Sequence, residues 1–196
     1  KLLKFANAHA EAEAIETSRI LLRVPETGDY QQWADLRRAS AAFLKPWEPL
    51  WTRDELTRTA YRQRLRSQQA QISSGRSLPW FLFCRDTGAL LGGLTISNIR
   101  RGVTQTGTLG YWMGETHSRK GYMREAVLAV SQSLFKDHGI HRLEAASIAR
   151  NERSIALLEG CGFRFEGTGR KYLKINGEWE DHRLYALLSD DPCPVE

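Results

Sequence analysis

From Leu109 to Ala126 an apolar strand pattern enters a polar, basic turn and passes directly into an amphipathic helix. Leu109, Tyr111 and Met113 alternate with Gly110 and Trp112. Residues 114–120 are polar. From Gly121 the period becomes helical, with Met123, Val127, Val130 and Leu134 on one stripe. Gly139 supplies the glycine that ends such a helix. A helix start exposes unpaired N–H groups and the positive end of the macrodipole, so it attracts an anion, and phosphate above all. Arg119, Lys120 and Arg124 add charge, and Gly121 permits close backbone approach. Taken alone, the segment also fits a solvated basic cap. The chain has no GxGxxG and no GxxxxGK[ST] motif, which argues against a dinucleotide site or NTP hydrolysis.

Arg19–Val24 reads as a first strand stopped by Pro25. Residues 29–44 carry Trp33, Leu36, Ser40, Phe43 and Leu44 at helical spacing and end before Pro46. Thr52 and Glu55 form a capping-box pattern ahead of a second, Arg-rich helix reaching about Ser73. Strands follow at 79–85, 90–99 and 106–113, with a turn at Asp86-Thr87-Gly88. A strand at 141–148 and a short helix at 154–160 come after the long helix. Residues 163–175 and 178–188 flank Asn176-Gly177, whose positive-φ preference signals a hairpin. The order βαα-βββ-α-β-α-ββ predicts a mixed α/β (α+β) domain with helices covering the sheet. Three consecutive strands before the third helix exclude a doubly wound nucleotide fold. One domain is expected over 18–190. Residues 1–17 read as an arm or extra helix, not a signal peptide, and 191–196 as a tail. The chain starts at Lys1, which reads as a trimmed N-terminus.

A chain of 196 residues is one domain by default and long enough to bury a core. No apolar run is long enough to cross a bilayer. Cys84, Cys161 and Cys193 are odd in number and form no CxxC pair. That argues against a disulfide framework or metal site and fits a reducing cytoplasm. The net charge of +5 suits a polyanionic partner or phosphorylated cofactor. Acids are mixed among the bases, and no basic block stands alone, so direct nucleic-acid binding is not expected.

A second informative segment lies about 30 residues on: Asn151-Glu152-Arg153-Ser154-Ile155-Ala156-Leu157-Leu158-Glu159-Gly160-Cys161-Gly162-Phe163. By itself it is a helix opened by an Asn cap. Together the strand–basic loop–helix and this N-x-x-S-x-x-L-L-E-x-x-G-F run resemble the acetyl-CoA core of the GNAT acetyltransferases. Phe43-Leu44-Lys45-Pro46-Trp47-Glu48-Pro49, Ser97 to Gly102, Ile140-His141-Arg142 and Tyr172 to His182 further resemble the RimJ type, the ribosomal-protein-alanine N-acetyltransferases. The islands keep the family's order and cover residues 18–188.

The resemblance implies the acyl-CoA N-acyltransferase fold, with about seven strands flanked by about four helices. It implies that acetyl-CoA enters a V-shaped split between strands ending near Met113 and Ile148. Backbone groups of Trp112 and Met113 would meet the pantetheine arm. The segment Ser118, Arg119, Lys120, Gly121, Tyr122, Met123 and Arg124 would hold the pyrophosphate, with Asn151 and Ser154 on the other side. No metal is implied. The family pattern [QR]-x-x-G-x-[GA] here keeps only Gly121, with Ser118 first and Met123 last. Many members carry a Tyr seven residues after the Asn as general acid; that position is Leu158.

Acyl transfer from a thioester needs a neutral amine close to the carbonyl. An α-amine has a pKa of about 7.7–8.0, so one carboxylate or a water chain suffices as base. Glu144, on the strand beside the split, and Glu48, in the Pro-Trp turn, are the base candidates. Each also fits an ordinary ion-paired or loop acid. Ser154 is the candidate acid or thioester-orienting group. His117, His138, His141 and His182 read as structural or surface residues. Trp179 is a candidate wall of an acceptor groove. The expected acceptor is a protein N-terminal α-amine, such as that of a ribosomal protein. The alternatives are a small-molecule amine, or a non-catalytic CoA-binding or ribosome-associated module.

Overall fold

In the computed structural model, residues 13–192 are described. Eight strands form one sheet: β1 (Ile15–Glu16), β2 (Ile20–Arg23), β3 (Leu78–Cys84), β4 (Leu90–Arg100), β5 (Thr106–Met113), β6 (Arg142–Ile148), β7 (Arg164–Ile175) and β8 (Glu178–Leu188). Their order is β1-β2-β3-β4-β5-β6-β8-β7. Neighbours are antiparallel except β5 and β6, which run parallel. Five α-helices accompany the sheet: α1 (Tyr30–Ala39), α2 (Ala41–Leu44), α3 (Arg58–Ser73), α4 (Tyr122–Asp137) and α5 (Glu152–Gly160).

Two cores result, one on each face. The α4 stripe Met123, Val127, Val130 and Leu134 packs with Trp80, Leu82, Leu109, Leu143 and Tyr185. Trp33 and Tyr61, from α1 and α3, pack with Phe81, Phe83 and Leu90 on the opposite face. A strand covered on both faces has no solvent side, which is why β3 reads as the unbroken apolar run Leu-Pro-Trp-Phe-Leu-Phe-Cys.

Three local expectations are corrected. Ile15–Glu16, anticipated in an arm or helix, forms a short edge strand paired with Leu21 and Leu22. The rest of the arm and the tail beyond 192, with Cys193, lie outside the described residues. The helix foreseen over 29–44 breaks at Ser40, whose buried hydroxyl accepts the Glu115 N–H at 2.9 Å. That long-range bond rewards leaving the helical path there. Thr52 does not cap α3: Thr57 does, accepting the Ala60 N–H, while Glu55 pairs with Arg64 at 2.8 Å. One extra strand and one extra helix thus exceed the expected counts.

The feature that positions the site is where two parallel strands part. β5 and β6 pair only from Thr106↔Arg142 to Leu109↔Ala145. Beyond that, β5 stays on β4 to Met113↔Gly92, and β6 stays on β8 to Ile148↔His182. Gly92 allows this. A Cβ there would collide with the Trp112 carbonyl oxygen and lie 3.0 Å from the Met113 Cα. The bare glycine lets β4 draw the end of β5 away from β6.

Candidate active site

A cleft of about 620 Å³ occupies the parting and reaches both faces of the sheet. Tyr111, Met113, Ser154 and Leu158 line it on the α4/α5 side. Glu48, Trp47, Phe43, Ile148 and His182 line it on the other. The gap carries free backbone groups. The Gly114 N–H bonds to the Leu91 carbonyl at 2.9 Å, toward β4. Backbone direction alternates along a strand, so the N–H and C=O of Trp112 also face β4, and those of Met113 and Tyr111 face the gap. Of the two residues expected to offer backbone groups, Met113 is turned to the cleft and Trp112 is not; Tyr111 takes its place.

The gap leads to the start of α4. Arg119 and Gly121 both adopt positive φ, 61° and 81°, and Gly121 is the helix N-cap. Among the described residues no side chain caps this end. The first helical bond is Glu125 N–H to the Gly121 carbonyl at 3.0 Å. The N–H groups of Tyr122, Met123 and Arg124 precede it and are left for an external anion. Ser118, Arg119, Lys120, Gly121, Tyr122, Met123 and Arg124 all line the cleft. The Ser118 hydroxyl is turned inward and donates to the Glu115 carbonyl at 2.8 Å, closing the turn.

Glu125, in the first turn of α4, would repel an anion if left free. It is clamped instead. Its carboxylate accepts from the Thr17 hydroxyl (2.5 Å), the Arg19 backbone N–H (3.0 Å) and Arg19 Nε (2.6 Å). Arg19 also donates to the Lys120 carbonyl at 2.9 Å and lies over the Tyr122 ring. Burial raises the Glu125 carboxyl, but the Thr17 and Arg19 donors outweigh it and hold it below the usual glutamate value. A depressed carboxyl stabilises above the unfolded pKa, so the clamp holds at neutral pH and is lost only on acidification below the ordinary glutamate range. Arg19→Met exposes the site to an uncompensated carboxylate. About tenfold weaker binding of a phosphate-bearing ligand by calorimetry is expected; unchanged affinity would remove Arg19 from the site.

On the α5 side, Asn151 caps the helix by accepting the Ser154 N–H at 3.3 Å and also lines the cleft. Its cap and cleft positions coexist. The Ser154 hydroxyl lies 2.8 Å from the Tyr111 hydroxyl. Burial pushes the Tyr111 phenol up to about 12, so it stays protonated, and either hydroxyl of the pair can donate to the other. Leu158 is buried core. A phenol therefore does reach this wall, from β5 rather than from α5. The strand period was compatible with Tyr111 on this face, but nothing local indicated its contact 43 residues away.

The acid candidates separate. Glu48 is in the cleft, with its carboxylate committed to Arg37 (3.2 and 2.5 Å) and Trp51 Nε1 (2.7 Å). Glu144 is not among the cleft-lining residues. It accepts from Arg142 Nε at 2.9 Å and faces Arg100 at 3.8 Å, in a charge network that continues to Glu166. Its strand partners, Thr108 and Ala186, lie before the parting. His117 and His182, expected to be structural or superficial, both line the cleft. Trp179 is exposed on the β7–β8 hairpin and does not line it.

A mixed sheet opened between two parallel strands, with an uncapped helix start at its mouth, is the architecture of an acyl-CoA N-acyltransferase. Residues 19–164 match the family described as Acetyltransferase (GNAT) domain, and the chain belongs to this family of N-acetyltransferases. It is 33% identical over 180 residues to the [Ribosomal protein uS5]-alanine N-acetyltransferase of Escherichia coli (strain K12), covering 92% of this chain and 93% of that one. The ribosomal-protein-S5-alanine acetyltransferase from Vibrio fischeri superposes with a TM-score of 0.84 at 31% identity, covering 91% and 98% of the chains. Mycobacterium smegmatis RimJ in complex with CoA-disulfide gives 0.84 at 28% identity, over 90% and 88%.

Proposed function

We propose that this enzyme uses acetyl-CoA and transfers the acetyl group directly to the N-terminal α-amine of a protein, a ribosomal one in particular. One observation carries the donor half: the gap between β5 and β6, lined by free backbone groups of Tyr111 and Met113, leads to the uncapped start of α4. The residues present suit coenzyme A. Its diphosphate fits the N–H groups of Tyr122, Met123 and Arg124 with Arg119 and Lys120 nearby. Its amide-bearing arm fits the gap as an added strand. The RimJ structure with CoA-disulfide and the acceptor named for the Escherichia coli relative support this assignment.

The acceptor nitrogen attacks the thioester carbonyl, a C–N bond forms, and the C–S bond breaks with its electron pair leaving on sulfur. The Met113 N–H, unpaired in the gap, is placed to receive the carbonyl oxyanion. With Tyr111 as the donor of the shared bond, the Ser154 proton is free to point into the cleft and stabilise the thiolate. Tyr111, which burial keeps protonated, stands behind Ser154 and holds it in place. The half-exposed Leu173, on the hairpin and lining the cleft, offers apolar surface beyond the amine. A peptide would use that surface; a small amine would not.

The test is release of free CoA thiol with a panel of peptides and small amines. Turnover with Ala- or Ser-starting peptides alone supports the proposal. Turnover confined to small amines refutes the acceptor and leaves the donor half standing. Ser154→Ala is expected to slow turnover by about tenfold or more; an unchanged rate would clear Ser154 of any part in the reaction.

A further inference from the structure

The chemistry above leaves one proton unassigned. When the amine attacks, its nitrogen must lose a proton to a group on the acceptor side of the sheet. Strand alternation defines that side. Leu143, Ala145 and Tyr185 point to the α4/α5 core, and Tyr185 donates to Glu159 of α5 at 3.1 Å. The alternate residues of β6 and β8, namely Ala146, Ile148 and His182, therefore point to the opposite face. Glu48 lies on that face too, held by Arg37 of α1.

The cleft-lining titratable groups can be taken in turn. Tyr111 and Ser154 lie on the other face, against α5. His117 lies beside Lys120, at the anion turn; burial and then that lysine push its imidazole below the ordinary value. Glu48 is engaged by three donors, two from Arg37 and one from Trp51. His182 differs from all of these. It is buried at 3% exposure and lines the cleft opposite Ile148, at the end of the parted strand. Its Nδ1 lies 2.9 Å from the Glu180 carbonyl oxygen. A carbonyl only accepts, so Nδ1 carries the hydrogen and, in the neutral ring, Nε2 carries the lone pair. Among the described residues Nε2 has no hydrogen-bond partner.

We propose that His182 is the general base: Nε2 takes the proton from the acceptor nitrogen as the C–N bond forms. The departing sulfur then takes a proton from solvent, and His182 returns its own to solvent. The inference rests on the acyl-transfer reading above and adds the base to it. The Glu180 carbonyl fixes the ring's tautomer, and the Tyr172 ring packs beside it with centroids 5.8 Å apart. The charges around it are accounted for. The Glu180 carboxylate pairs with Arg150 at 2.8 Å, Asp181 accepts the Lys171 N–H at 2.8 Å, and Glu48 is held by Arg37.

His182→Asn tests this with little disturbance, because the Asn amide can still donate to the Glu180 carbonyl while no group replaces Nε2. Expected for the variant is a kcat lower by about a hundredfold at neutral pH. The KM for acetyl-CoA should stay within about twofold, and the Tm unchanged. The wild-type kcat should fall on acidification as the base is protonated, and the variant should lose that limb. A variant with wild-type kcat, or one that keeps the acid limb, overturns the inference while wild-type turnover keeps the acyl-transfer reading. If Glu48→Gln removes the limb and His182→Asn does not, Glu48 is the base and the inference is wrong. Wild-type protein that releases no thiol with any amine overturns the reading itself.

Discussion

Arg37→Ala is expected to destabilise the protein by about 3 kcal/mol, because it removes a buried guanidinium and strips a part-buried carboxylate of its cation. The Arg37 guanidinium is only 4% exposed and makes two bonds to Glu48. It also stacks near three indoles, 4.6 Å from Trp51, 4.9 Å from Trp112 and 5.8 Å from Trp33. Its Nε is buried without a partner, so the residue already bears one unmet donor, and the ion pair and stacking must outweigh it. In the variant, Glu48 keeps only Trp51 as donor. A fall in Tm of roughly 10 °C follows for a domain of this size, read by thermal denaturation. Arg37→Met with Glu48→Gln should recover part of the loss, since removing both charges is cheaper than removing one. Equal losses in the single and double variants would show that packing against the indoles, not the ion pair, dominates. Glu48 and Trp112 both line the cleft, so the KM for the acceptor should rise as well.

Gly92→Ala should damage the parted sheet itself. The new methyl would fall on the Trp112 carbonyl, with the Met113 Cα at 3.0 Å and its sulfur at 3.3 Å. Two of those three neighbours are backbone and cannot rotate away. β5 would have to shift toward β6, into the gap proposed for the cofactor arm. Overpacking of this kind costs about 1–3 kcal/mol. Affinity for acetyl-CoA should drop by at least about tenfold, because Met113 loses its position. Gly160→Ala is the matched control: no atom lies within 4 Å of its Cβ, and Ala is the better helix former. Near-wild-type CoA binding in Gly92→Ala would mean that close approach of β4 and β5 does not hold the gap open.

Much of the fold was legible because its signals are local. The hairpin at Asn176-Gly177 needs positive φ at both residues and has it, at 46° and 89°. Gly139, at φ 60°, ends α4 as its position implied. The long apolar stripe of α4 and the strand after it fell where periodicity placed them. Misreadings came where a distant partner outweighed a local pattern. Ser40 left its helix for the Glu115 N–H, 75 residues away. Thr52 and Glu55 matched a capping box, yet Glu55 turned to Arg64 and Thr57 took the cap.

The sequence by itself determined the strand–turn–helix at 109–137, the positive turn at Arg119 to Gly121, and the family that this run and Asn151 to Phe163 announce. Backbone preference and side-chain period act within a few residues, so they survive translation into one dimension. Only the tertiary structure decided which groups face one another. Alternation says that Glu144 and His182 each share a face with residues two away, not which face looks into the cleft. Folding turned Glu144 to Arg142 and Arg100, locked Glu48 to Arg37, joined Tyr111 to Ser154 and set His182 at the end of the parted strand. These pairings depend on how the sheet opens between β5 and β6, and that opening depends on contacts across strands that no single segment encodes.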